Sequence, residues 1–154
     1  MRFNKFITVI ESDSLAMAKK WAKGIHASKF TRTYRELPEE TLVTLGKNVY
    51  DNLAKWLDRD TTRIEIGKIY AELGKKRYEE GYPLCEVLYA AHYIKKILAN
   101  HIASGGLMPD ALKLYNSLDF LGKLYDFFDI AGFYISRGFQ EALYKKATSI
   151  KGID

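Results

Sequence analysis

The chain has 154 residues, about one domain's worth, with 47% apolar and 28% charged residues and a formal charge of +5. That composition supports a core under a wetted surface, and the basic residues run along the whole chain rather than gathering in one tract. The lone Cys85 excludes a disulfide framework and a cysteine-based zinc site.

Residues 1–10, MRFNKFITVI, lack the long apolar stretch and cleavage site of a signal peptide. Asp13 is placed to cap a first helix carrying Leu15, Ala18, Trp21 and Ile25. KFTRTYRE (29–36) has no helical periodicity and is expected to be a loop. Pro38 opens a second helix, with Glu39 and Glu40 at the positive end of its dipole and a stripe of Leu42, Leu45, Val49, Leu53 and Trp56. Asp60 is the expected N-cap of a third, with Ile66, Ile69 and Leu73 on one side and Gly81 just past its end. Pro83 starts a fourth, stopped by Gly105-Gly106.

The last segment carries the longest pattern. Leu114, Leu118, Leu121, Tyr125, Phe128, Gly132, Ile135, Phe139 and Ala142 alternate steps of four and three, which is a heptad-like seam. Phe120, Leu124, Phe127, Ala131, Tyr134 and Gly138 make a second seam beside it. One helix from about Pro109 to about Ala147 follows, with an apolar face wider than one packing partner needs. Gly122, Gly132 and Gly138 inside it mark either a kink or the close approach of another helix. Asp126 and Asp129 break the strongest apolar run, so no membrane span is expected and the default location is cytoplasmic. No stretch alternates with period two for long enough to make a sheet. The expected fold is all-α: one antiparallel bundle of five to six helices, core about 13–147, with a globin-like arrangement among the options.

Catalytic motifs are missing: no GxSxG, P-loop, GxGxxG, HExxH or CxxC occurs. His92 and His101, nine residues apart, lie on opposite sides of one helix and cannot share a metal there. Neither these nor His26 implies a cofactor, and haem on His92 is disfavoured. Glu39/Glu40, Glu79/Glu80 and Asp126/Asp129 lack a partner for general acid–base work. Cys85 is expected to be a small buried hydrophobe. Lys29, Arg32 and Arg35 interleave with Phe30 and Tyr34 in a way that can track nucleic acid, but a basic connector loop accounts for them. A non-enzymatic role is expected.

Arg77, Gly81, Pro83-Leu84, Glu86-Val87 and Ala90 form the pattern R-x-x-x-G-x-P-L-x-E-V-x-x-A. It resembles the signature of the N-terminal domain of RsbRD-type proteins, the RsbT co-antagonists of bacterial stressosomes. Trp21 and the 42–56 stripe also sit where that family places an early Trp and an amphipathic helix. The resemblance implies a sensory or regulatory helical module that associates with itself or with an output or partner signalling protein. The residues themselves suggest a structural role: Gly81 ends one helix, Pro83 begins the next, and Arg77 faces Glu86 across the corner of a hairpin. Two functional expectations follow. One is a signalling domain that homodimerises through the 114–142 helix. The other is a module that holds a small apolar ligand among Phe120, Phe127, Phe128 and Tyr134.

Overall fold

The computed structural model describes the backbone of residues 4–58, 61–105 and 111–150, with side chains for all of these except 111–117. Five helices follow one another: α1 (Asn4–Ala27), α2 (Glu39–Leu57), α3 (Arg63–Glu79), α4 (Leu84–Ser104) and α5 (Ala111–Ile150), with a 3-10 turn at Thr33–Glu36 inside the expected loop. The all-α bundle with a long last helix is therefore observed. No strand occurs among the described residues, and no helix there is long and apolar enough to cross a membrane.

α1 begins earlier than Asp13. Phe6, Ile7 and Ile10 carry its buried stripe back through a further two turns, so apolar burial overrides the cap signal. Asp13 instead lies inside the helix, where its carboxylate meets His101 Nε2 at 2.7 Å. Asp60, the expected cap of α3, lies outside the described residues, as do Gly106 and Pro109. Thr62 caps α3: its hydroxyl accepts from Glu65 N–H, and the Glu65 carboxylate accepts from Thr62 N–H. Those donors hold the Glu65 carboxyl below its usual range, so this contribution is present above the unfolded pKa and fades as pH falls through the folded one.

The α3–α4 corner is a Schellman turn. Gly81 takes φ +84°, Gly81 N–H donates to Tyr78 O at 3.0 Å and Tyr82 N–H donates to Arg77 O at 2.9 Å. Pro83 then sets the first turn of α4.

α1 and α2 run antiparallel: His26 reaches Leu37 O near one end, and Gly46 faces Trp21 and Ala18 farther along. α3 and α5 run in the same sense, because their contacts advance together from Arg63–Asp126 through Tyr70–Phe127 to Tyr78–Phe139. Their closest approach uses glycine on both sides. A Cβ on Gly74 would lie 2.0 Å from Ile135 O, and one on Gly138 would lie 2.0 Å from Ala71 O. Gly138 is thus a close-approach glycine, whereas a Cβ on Gly122 or Gly132 would meet nothing within 4 Å.

α5 turns its second seam inward: Phe120, Leu124, Phe127 and Ala131 are buried. Phe120 stacks on Phe6 at 4.2 Å, and Phe127 sits edge-on to Tyr70 at 5.8 Å. Two members of the first seam, Phe128 and Ile135, are also buried in the chain's own core. They are therefore withdrawn from the expected dimer seam, because α3 and its glycines draw that side of α5 inward. Leu118 and Tyr125 remain exposed, Leu121, Gly132 and Phe139 are half-buried, and the Leu114 side chain lies outside the described residues.

Candidate functional site

Small residues leave a cleft in this core. Ala90 and Ala91 on α4 and Ala131 on α5 line a space of about 490 Å³ together with Trp21, Tyr70 and Phe128. Val87, Ile94 and Ile135 complete its apolar walls. Asn48 and Asn52 on α2, and Glu72, Lys75, Lys76 and Glu79 on α3, supply its polar lining with Tyr34 and Arg77. The volume falls within the range of roughly 300–1,000 Å³ that small-molecule sites occupy.

The walls are held by buried donors. Trp21 Nε1 donates to Ala90 O at 3.0 Å, and Tyr50 Oη donates to Ile94 O at 3.0 Å. Asn52 Nδ2 donates to Tyr70 Oη at 3.5 Å. Burial pushes the Tyr70 phenol up to about 12, despite that bond, so Tyr70 is a neutral group at physiological pH. Tyr50 is raised further by the same cause.

Arg77 sits at the junction of the cleft and the α3–α4 corner. It is only 5% exposed, because it continues the inward side of α3 through Ile66, Tyr70 and Gly74. The Tyr34 and Tyr82 rings flank its guanidinium at 5.9 and 5.2 Å and meet each other edge to face. Burial raises the Tyr34 phenol to about 12, with the neighbouring Arg77 charge acting in the opposite direction.

The expected Arg77–Glu86 pair does not form. Arg77 Nη1 donates to Glu80 Oε1 at 2.6 Å, one helical turn away on α3 itself. Glu86 is buried and takes its bonds from the loop: Thr33 N–H donates to Oε1 at 3.2 Å and Thr33 Oγ1–H to Oε2. The Schellman turn places Tyr82 over the guanidinium, and the 29–36 loop fills the space where the two charges would have met. The motif residues Arg77, Gly81, Pro83 and Glu86 do gather in one place, with the loop as an added partner.

Of the four expected pocket aromatics, only Phe128 lines the cleft. Phe120 and Phe127 fill core between helices, and the Tyr134 ring covers Gly67. Within the basic loop, Tyr34 is buried and Arg35 donates to Ser28 O at 3.0 Å through Nε, whereas Phe30 is exposed. Cys85 is exposed, contrary to expectation, because it occupies the outer side of the first turn of α4 beside inward Glu86 and Val87. His92 is exposed beside Tyr89, and among the described residues no group of three His, Cys, Asp or Glu side chains could hold a metal.

No protein-family model matches this chain, and neither the characterised proteins nor the solved structures compared with it give a match.

Proposed function

We propose that this domain is a non-enzymatic binding module, in which a small, mainly apolar molecule occupies the cleft among α2, α3, α4 and α5 and regulates an output through α5. The cleft of about 490 Å³ carries the reading: it opens to solvent along the exposed α3 side chains and reaches inward to apolar core residues, the form small-molecule sites take. α5 contributes Phe128, Ala131 and Ile135 to its wall, so occupancy bears directly on the long helix. The polar lining can orient a ligand but holds no nucleophile–base pair. The similarity of the 77–90 motif to RsbRD-type N-terminal domains supports a regulatory rather than a metabolic use.

Native mass spectrometry of protein purified from cells tests this. A bound small molecule is expected on the wild type and is expected to be lost in Ala91→Phe, which fills the cleft from α4. Repeated recovery of unliganded wild type would overturn the reading.

Self-association through α5 is a second reading, favoured by exposed Leu118 (59%), Tyr125 (45%) and Phe133 (60%) on that helix. Sedimentation velocity at micromolar concentration is expected to give a dimer that Phe133→Ser weakens. A wild type that stays monomeric across the concentration series would remove this reading.

A further inference from the structure

Arg77 has more hydrogen-bonding capacity than its neighbours use. A guanidinium offers five N–H donors in a rigid planar fork. Glu80 takes Nη1, the Tyr34 side chain also bonds the guanidinium, and no protein atom accepts from the buried Nε. A buried donor left unpaired loses its hydration with nothing in exchange, so such groups are rare unless something else supplies the acceptor. Glu80 is itself a wet partner, its side chain 40% exposed, while Arg77 is almost wholly enclosed. The charge therefore faces inward and its counter-charge faces outward.

Arg77 also lines the cleft, and Lys75 and Lys76 from the same turn line it too. The opposite walls, Trp21, Ala90, Ile94 and Phe128, offer nothing but apolar surface and ring faces to a ligand. Glu72 and Glu79 line the same side, so the exposed charges there nearly cancel; Arg77 is the enclosed charge among them, and it suits a negative group while the apolar walls suit hydrocarbon. Nε and Nη2 share one edge of the guanidinium, opposite the Glu80 contact, and that edge matches the two oxygens of a carboxylate.

Resting on the cleft as the binding site, we propose that its ligand is an amphipathic monocarboxylate whose carboxyl group is taken by the Nε edge of Arg77 and whose apolar body lies along Trp21, Ala90 and Phe128. Tyr34 and Tyr82 flank the guanidinium and Tyr34 itself lines the cleft, so the carboxylate reaches the buried Nε by displacing the Tyr34 ring. Tyr34 adjoins Thr33, the residue that anchors the loop to Glu86, so binding at Arg77 acts on that anchor.

Calorimetric titration with octanoate and decanoate against 1-octanol and 1-decanol tests the assignment. In the wild type the acids are expected to bind at least about tenfold more tightly than the alcohols of equal length, as one charge-assisted contact allows. Arg77→Met is expected to abolish that preference while keeping alcohol binding. Glu80→Gln is expected to strengthen acid binding, because it removes the competing carboxylate. Binding of acids and alcohols alike, or a preference that survives Arg77→Met, overturns the inference and leaves the cleft as a site. Failure of both series overturns the cleft reading along with it. Should circular dichroism show Arg77→Met unfolded, Glu80→Gln decides: unchanged acid affinity overturns the proposal.

Discussion

Gly74→Ala and Gly138→Ala are each expected to destabilise the fold by about 3 kcal/mol, the upper end of what overpacking costs. Alanine is otherwise the better helix former by up to about 1 kcal/mol, so the local effect has the opposite sign. The tertiary effect wins because of what each new methyl would meet. At Gly74 it would lie 2.0 Å from Ile135 O, and at Gly138 it would lie 2.0 Å from Ala71 O. Both obstacles are main-chain atoms of a facing helix, and no rotamer change can clear them. α3 and α5 must move apart, which loosens the Tyr70–Phe127 and Tyr78–Phe139 contacts along the same interface. One separation relieves both clashes, so the double substitution is expected to cost less than the sum of the singles. Gly122→Ala is the internal control: nothing stands within 4 Å of its new methyl, and it should be neutral or stabilising. Urea denaturation of the four variants checks the set. Equal stabilities for Gly74→Ala and Gly122→Ala would show that the two helices do not meet as described.

Glu86→Ala is expected to cost about 2–3 kcal/mol, the range for hydrogen bonds to a charged group. The carboxylate is enclosed and satisfies both Thr33 N–H and Thr33 Oγ1–H. Glu86→Gln keeps one acceptor oxygen and should cost about 1 kcal/mol. The informative measurement is a pair of double-mutant cycles in chemical denaturation. Thr33→Val and Glu86→Gln should be strongly coupled, since they share the bonds. Arg77→Met and Glu86→Gln should be close to additive, because Arg77 bonds to Glu80 and not to Glu86. The reverse pattern would restore an ion pair across the corner and sink the loop assignment. Arg77→Met by itself should cost little. It removes a desolvated charge with an unpaired Nε, and Glu80, 40% exposed, remains hydrated.

Much of the fold follows from short-range rules that a sequence displays. Pro38 and Pro83 fix φ, Gly81 permits a positive φ, and helix boundaries fall beside them. The length of α5 is visible in its unbroken period. Which seam of α5 faces inward is not visible, because both seams are apolar and helical periodicity alone cannot rank them. The choice is made on α3, where Gly67 accommodates the Tyr134 ring and Gly74 admits the α5 backbone. Arg77 shows the same divide. Its place one turn after Leu73 marks it as inward and in need of a partner, but the partner depends on where the 29–36 loop lies. The cleft was least legible, since Trp21, Tyr70, Ala90 and Ala131 come from four helices. A sequence signal did exist in Ala90-Ala91 and Ala131, small residues at apolar positions of facing helices. Expecting aromatics to surround a ligand overlooked that space is created where side chains are short.

The glycine crossing between α3 and α5 also defines a fulcrum. Beyond Gly138, α5 continues to Ile150 with most of its side chains in solvent, so this stretch projects like a lever arm. Twelve residues of α-helix reach about 18 Å, and a tilt of about 10° about the crossing would carry the tip through about 3 Å. Phe128, Ala131 and Ile135 lie on one side of that pivot, against the cleft, and the exposed Leu143 and Tyr144 lie on the other. A rigid tilt about the crossing would carry a displacement at the cleft side to Ile150 at about the same size, and substituting Gly138 would alter the pivot itself.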